Sequence, residues 1–141
     1  MPIEYHCIKE AGDLPKLGFS EPFKAGIIAD IAVDPDRRTQ VAEWLYSSGC
    51  RYTCAWGVEA SSWELASDFA YLEASNFEDT PDSQFCLTTC HEGEPLREMF
   101  YFLKYLSGYY DGSFNNDVVL IHISDFERTA LIQEYEMIDH G

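Results

Sequence analysis

Cysteine, histidine and glutamate stand in a row at Cys90, His91 and Glu92, with Glu94 two residues further on. Such side chains can attack a carbonyl, move a proton or hold a metal ion. A thiolate at Cys90, after a strand and before a helix, would gain from the helix dipole, and a histidine could act as its base. Neighbouring residues on an extended segment point to opposite faces, so His91 is a poor partner for Cys90. His122, set between Ile121 and Ile123, is the better base, provided the two strands lie side by side. Glu92 and Glu94 oppose this chemistry, because nearby carboxylates raise a thiol's pKa. Cys90, His91, Glu92 and His122 are thus the catalytic candidates of an alternative, enzymatic reading, against which His122 is simply a hydrogen-bonded strand histidine.

A metal centre fits less well. Cys50-x3-Cys54 and Cys86-x3-Cys90 match no common zinc knuckle, and residues four apart on a strand sit about 13 Å apart. No metal or other cofactor is expected. Five cysteines cannot all pair internally, and Cys50, Cys54 and Cys86 read as small buried hydrophobes. Asp30 interrupts the apolar run 25–33 and must find partners. It either accepts backbone N–H bonds from a neighbouring loop or, with Asp34, serves as a cation ligand or general base.

Strands and helices alternate around these residues. The run 25–33 is that of a strand buried on both faces, and Asp34-Pro35 caps a helix over 36–48 that Gly49 ends. A second strand comes at 51–56, then a capping box at Ser61–Glu64 opens a helix burying Trp63, Ala66, Ala70 and Phe77 or their neighbours. A third strand spans 85–89. Leu96, Met99, Phe100, Leu103 and Leu106 then mark one face of a third helix, closed by Gly108. The run 117–123 is a fourth buried strand, and a capping box at Ser124–Glu127 precedes a last helix. Four βα units predict a three-layer α/β/α sandwich on a four-stranded, mostly parallel sheet, in flavodoxin-like 2-1-3-4 or half-Rossmann 3-2-1-4 order. Residues 1–24, with Gly12, Pro15, Gly18 and Pro22, read as an irregular leader with room for a short strand at 3–8, and 25–141 as one α/β domain. In such folds ligands bind beyond the carboxyl ends of the strands, and that edge is acidic here. It lacks the glycine-rich turn a nucleotide needs.

Charge says more than any motif. Lys and Arg total 9 against 25 Asp and Glu, a net −16 over 141 residues, which disfavours nucleic acid and anionic membrane alike. With 46% hydrophobic residues the chain still has a core to bury. The start shows no signal peptide and no run is long enough to span a membrane, so a cytoplasmic protein is expected. Between Tyr52 and Leu96 there is no Lys or Arg, whereas Glu59, Glu64, Asp68, Glu73, Glu78, Asp79, Asp82, Glu92 and Glu94 all fall there. With Tyr71 among them, these residues have the composition of a surface for a cationic protein. The aromatics at 100, 101, 102 and 105 surround more than half of the third helix, which would equally suit a homodimer seam.

The segments Trp44-Leu45-Tyr46-Ser47-Ser48-Gly49-Cys50-Arg51-Tyr52, Ala55-Trp56-Gly57 and Thr88-Thr89-Cys90-His91-Glu92-Gly93-Glu94-Pro95-Leu96 resemble those of a family of small bacterial proteins known only as a domain of unknown function. The likeness covers the central two thirds of the chain. In that family the stretch matching Thr89-Cys90-His91 more often reads Thr-Trp-His, so the resemblance implies a shared cluster of His91, Glu92 and Glu94 rather than a cysteine nucleophile. The expectation drawn from charge is a protein-binding domain of the bacterial immunity or antitoxin type, blocking a basic effector such as a nuclease. The alternative is a small hydrolase or metal-dependent enzyme with its site at the strand ends.

Overall fold

The structure, a computed structural model, describes residues 3–76, 78 and 81–139. Among these residues the sheet has five strands, all parallel: β1 (Ile3–Ile8), β2 (Phe23–Ala29), β3 (Cys50–Gly57), β4 (Leu87–Cys90) and β5 (Val118–Ile123). Their order is β1-β5-β2-β3-β4. Read from β4, the four strands expected from the apolar runs take the half-Rossmann order, not the flavodoxin-like one, and β1 adds a fifth strand beyond β5. The stretch 3–8 is therefore an integral edge of the sheet, with Cys7 opposite His122.

Helices α1 (Pro35–Ser48) and α2 (Ala60–Ala74) cover one face, where Val41, Leu45 and Trp63 pack on Ala25, Ile27, Val119 and Ile121. On the other face lie α3 (Leu96–Tyr101), which runs into a π turn at Phe102–Leu106, and α4 (Ala130–Glu136). There Met99, Phe100, Leu103, Leu131 and Tyr135 meet Ile28, Cys54, Val118 and Leu120. Alternate residues of β2 and β5 serve the two layers, which is why both strands are apolar almost throughout.

Local chemistry sets the helix ends. Asp34 accepts the Asp36 N–H at 2.9 Å, Pro35 occupies the first position of α1, and Gly49 closes it at φ 112°. The other two capping boxes do not form. Glu59 takes the left-handed conformation (φ 55°) and its carbonyl receives the Ser62 and Trp63 N–H groups, so α2 begins at Ala60, before the serines. Ser124 closes a local turn on the Phe126 N–H, and α4 starts only at Ala130. The wide π turn rotates its later residues around the helix axis, so Leu103 is buried whereas Leu106, expected inside, is exposed. Phe77 lies outside the described residues.

Candidate functional site

The chain runs β2, β3, β4 to one side and then returns as β5 on the other side of β2. Sheet order reverses at that point, and the carboxyl ends of β2 and β5 flank the crevice where such folds hold ligands. Asp30 comes directly after β2 and donates its N–H to the Ile123 carbonyl at 2.9 Å. Its carboxylate meets His122 Nε2 at 2.5 Å, and His122 Nδ1 meets the Tyr5 hydroxyl at 2.7 Å. The Arg128 N–H donates to the same hydroxyl at 2.8 Å. With the imidazole neutral, this fixes one direction: Tyr5 donates to Nδ1, and Nε2–H donates to Asp30. His122 is 1% exposed while the Asp30 side chain is 42% exposed, so the chain of bonds leads from the interior to solvent. Burial pushes the Tyr5 hydroxyl above its ordinary pKa, and the Arg128 N–H partly offsets this.

Asp30 thus finds its partner in an imidazole rather than in loop amides. Asp34, its expected companion, is engaged as the α1 cap. Tyr5 is not among the residues that the sequence singles out. Its place depends on a pairing of β1 with β5 across 117 residues, for which residue types give no signal.

His91 lies at the far edge of the sheet. Its N–H donates to the Ala55 carbonyl at 2.8 Å, its ring packs on Phe102 at 5.1 Å, and its ring nitrogens meet the Thr89 hydroxyl (2.9 Å) and the Glu94 carboxylate (3.4 Å). Glu64 on α2 is half-buried here; burial, then the Asp68 charge, pushes its carboxyl up, and His91 works the other way. Asp68 accepts the Thr88 hydroxyl at 2.7 Å. Glu64, Asp68 and Glu94 therefore gather around His91 at the carboxyl corner of β4, and Glu92 is exposed on the adjoining turn.

Cys90 does not join either histidine. It packs into the layer under α1 and α2, whereas His91 faces the α3 side. β4 and β5 are not neighbours: two strands intervene, placing Cys90 and His122 about 14 Å apart at ~4.8 Å per strand spacing. The dyad that needed adjacent strands is not assembled. Among the described residues no group of three His, Cys, Asp or Glu side chains is placed to hold a metal ion. Burial pushes the Cys54 thiol up to about 12, in keeping with a small core side chain.

The acidic residues divide. Glu59 pairs with Arg38 at 3.4 Å, and Tyr71 is buried against Tyr46 and Phe85, so it offers no exposed ring. Glu73, Glu78 and Asp82 are exposed, and Asp79 lies outside the described residues. Among the described residues none of Glu64, Asp68, Glu73, Glu78, Asp82 and Glu92 has a cationic partner within 4 Å.

The scarce cations are turned to structural work. Lys24 donates to the Leu103 carbonyl (2.9 Å) and Arg37 to the Lys9 and Gly12 carbonyls (3.0 Å each). Arg51 holds the Tyr46 and Cys50 carbonyls, and Lys104 the end of α4 at Glu136 and Ile138. Four of the nine Lys and Arg are thereby drawn onto backbone carbonyls, leaving the outer surface dominated by carboxylates.

A model of one protein family, described as a domain of unknown function (DUF7684), matches residues 3–137. The chain belongs to the DUF7684 family. Neither a curated protein nor a solved structure matches it. The match runs from β1 through α4, so both edge strands, β1 and β4, and the Tyr5–His122–Asp30 chain lie within the family's domain. No helix among the described residues is long and apolar enough to cross a membrane.

Proposed function

We propose that this DUF7684 protein is an acidic protein-binding domain of the immunity or antitoxin type, neutralising a basic effector such as a nuclease. The observation that carries this is the division of charge: four of the nine Lys and Arg donate to backbone carbonyls, while among the described residues Glu64, Asp68, Glu73, Glu78, Asp82 and Glu92 have no cationic partner within 4 Å. A protein groove built to hold phosphates must also accept a surface of carboxylates, and the field of such a surface speeds and orients the encounter. Glu64, Asp68 and Glu94 around β4, with Glu73 and Glu78 further along, are the contact residues of this reading. Tyr71, buried against Tyr46 and Phe85, is not one of them. The test is affinity capture from the native host at low and moderate salt, beside a variant carrying E64K, D68K and E78K. A basic protein retained at low salt, and lost from the variant, is the expected result. Capture that ignores both salt and charge reversal would oppose the reading.

A second reading has one observation in its favour, the position of Asp30, His122 and Tyr5 at the point where sheet order reverses. There a solvent-facing carboxylate, backed by a buried imidazole and a phenol, could pass a proton to or from a bound molecule. The H122F variant separates the two readings: it removes that relay and leaves the acidic surface unchanged.

A further inference from the structure

Helix α2 carries large apolar side chains on two faces. Trp63, Ala70 and Tyr71 point into the core, yet Leu65 and Phe69 point out, 57% and 49% exposed. The outer positions of α1 are instead polar, with Gln40 and Glu43 exposed. Leu65 and Phe69 are four residues apart and so share one helix face. They line a groove of about 250 Å³ between α1 and α2, whose rim carries Glu43 and Glu73. Arg38 also lines it, but its charge is met by Glu59 at 3.4 Å. Glu64 and Asp68 each precede one of the two apolar residues by a single position. The apolar strip therefore has carboxylates along both sides.

That arrangement selects an occupant. A second copy of this chain, docked about a two-fold axis, would set the acidic rims of the two copies against each other, which is repulsive. An amphipathic helix with large apolar side chains at i and i+4 and Lys or Arg beside them is matched in both shape and charge. We propose that the α1–α2 groove, with Leu65 and Phe69 as its apolar floor, docks a basic amphipathic helix of the partner protein. This rests on the reading of the domain as a binder of cationic proteins, and it names the surface and the element received.

Two synthetic helical peptides with the same leucine face, one flanked by lysines and one by glutamates, test it by fluorescence anisotropy at about 50 and 300 mM salt, a range over which screening changes strongly. The protein is used as wild type, as L65S/F69S and as E43K/E73K, with thermal melts to show that each folds; both pairs of positions are exposed. The expected result is saturable binding of the lysine peptide alone, weakened at least tenfold by higher salt and at least tenfold by L65S/F69S, with preference shifted towards the glutamate peptide in E43K/E73K. Lysine-peptide binding unchanged in L65S/F69S would overturn the groove and leave the broader reading standing. No binding of the lysine peptide at the lower salt would overturn the basic helix as the groove's occupant, whereas the broader reading is overturned only by the capture experiment described for it. Sedimentation showing a dimer that L65S/F69S dissociates would assign the groove to a second copy and overturn the occupant proposed.

Discussion

Lys24 places an ammonium inside the protein with, among the described residues, no carboxylate within 4 Å to meet it. Its side chain is fully buried at the start of β2, with one carbonyl acceptor, Leu103 at 2.9 Å, and the Phe114 ring 4.1 Å from the nitrogen. Burial lowers its pKa from 10.5 to about 8, and this corresponds to ~3 kcal/mol of penalty on the charged form. Between pH 8 and 10.5 the unfolded chain keeps a proton that the folded chain has released, so this group's contribution to stability rises with pH. Below pH 8 both states are protonated and the contribution is flat. In K24M the contribution is missing. The stability of K24M minus that of wild type should therefore fall by ~2.5 kcal/mol between about pH 7 and pH 10. Urea unfolding of both proteins at matched pH measures this difference. Cys54 and the buried tyrosines Tyr52, Tyr109 and Tyr135, whose pKa values burial raises, remove stability as pH climbs, but they do so in both proteins. A difference constant with pH would refute the argument that Lys24 carries a buried, poorly compensated charge.

Other perturbations address the frame around the candidate site. Gly57 ends β3 at φ 97° and a Cβ there would collide with the Ala29 carbonyl, so Gly57→Ala should cost ~2 kcal/mol or more in urea unfolding. Tyr5→Phe leaves the Arg128 N–H and His122 Nδ1 without their partner and should cost ~1–3 kcal/mol, and the shift of the His122 ring signals by NMR should confirm that the imidazole has lost a bond. Native protein near neutral pH should react with a thiol reagent at no more than two of its five cysteines, Cys7 and Cys90, since Cys50, Cys54 and Cys86 are buried; prompt reaction of a third would contradict the packing.

The layers were legible because they depend on local pattern. Continuous apolar runs marked β2 and β5, and Asp34-Pro35 with Gly49 marked both ends of α1, since cap chemistry is decided within a few residues. Strand order was not legible, because nothing local in β4 says that β3 and β2 will separate it from β5. Hence Cys90 and His122 could be suspected of partnership until the topology set them apart. Asp30 stood out as a carboxylate in an apolar run that needed a partner, but its identity as His122, and the addition of Tyr5, required long-range pairing. The division of the acidic stretch had the same cause: Glu59 met Arg38 and Tyr71 turned inward through contacts between α1 and α2 that linear order does not reveal.

Salt dependence of binding tests the central claim most directly. With the basic protein captured from the native host, the dissociation constant is measured from about 50 to 300 mM salt for wild type and for the variant carrying E64K, D68K and E78K. Affinity that falls at least tenfold over that range in wild type, and is weak and nearly flat in the variant, is the result required by carboxylates meeting a cationic partner. Affinity independent of salt and equal in the two proteins would contradict it.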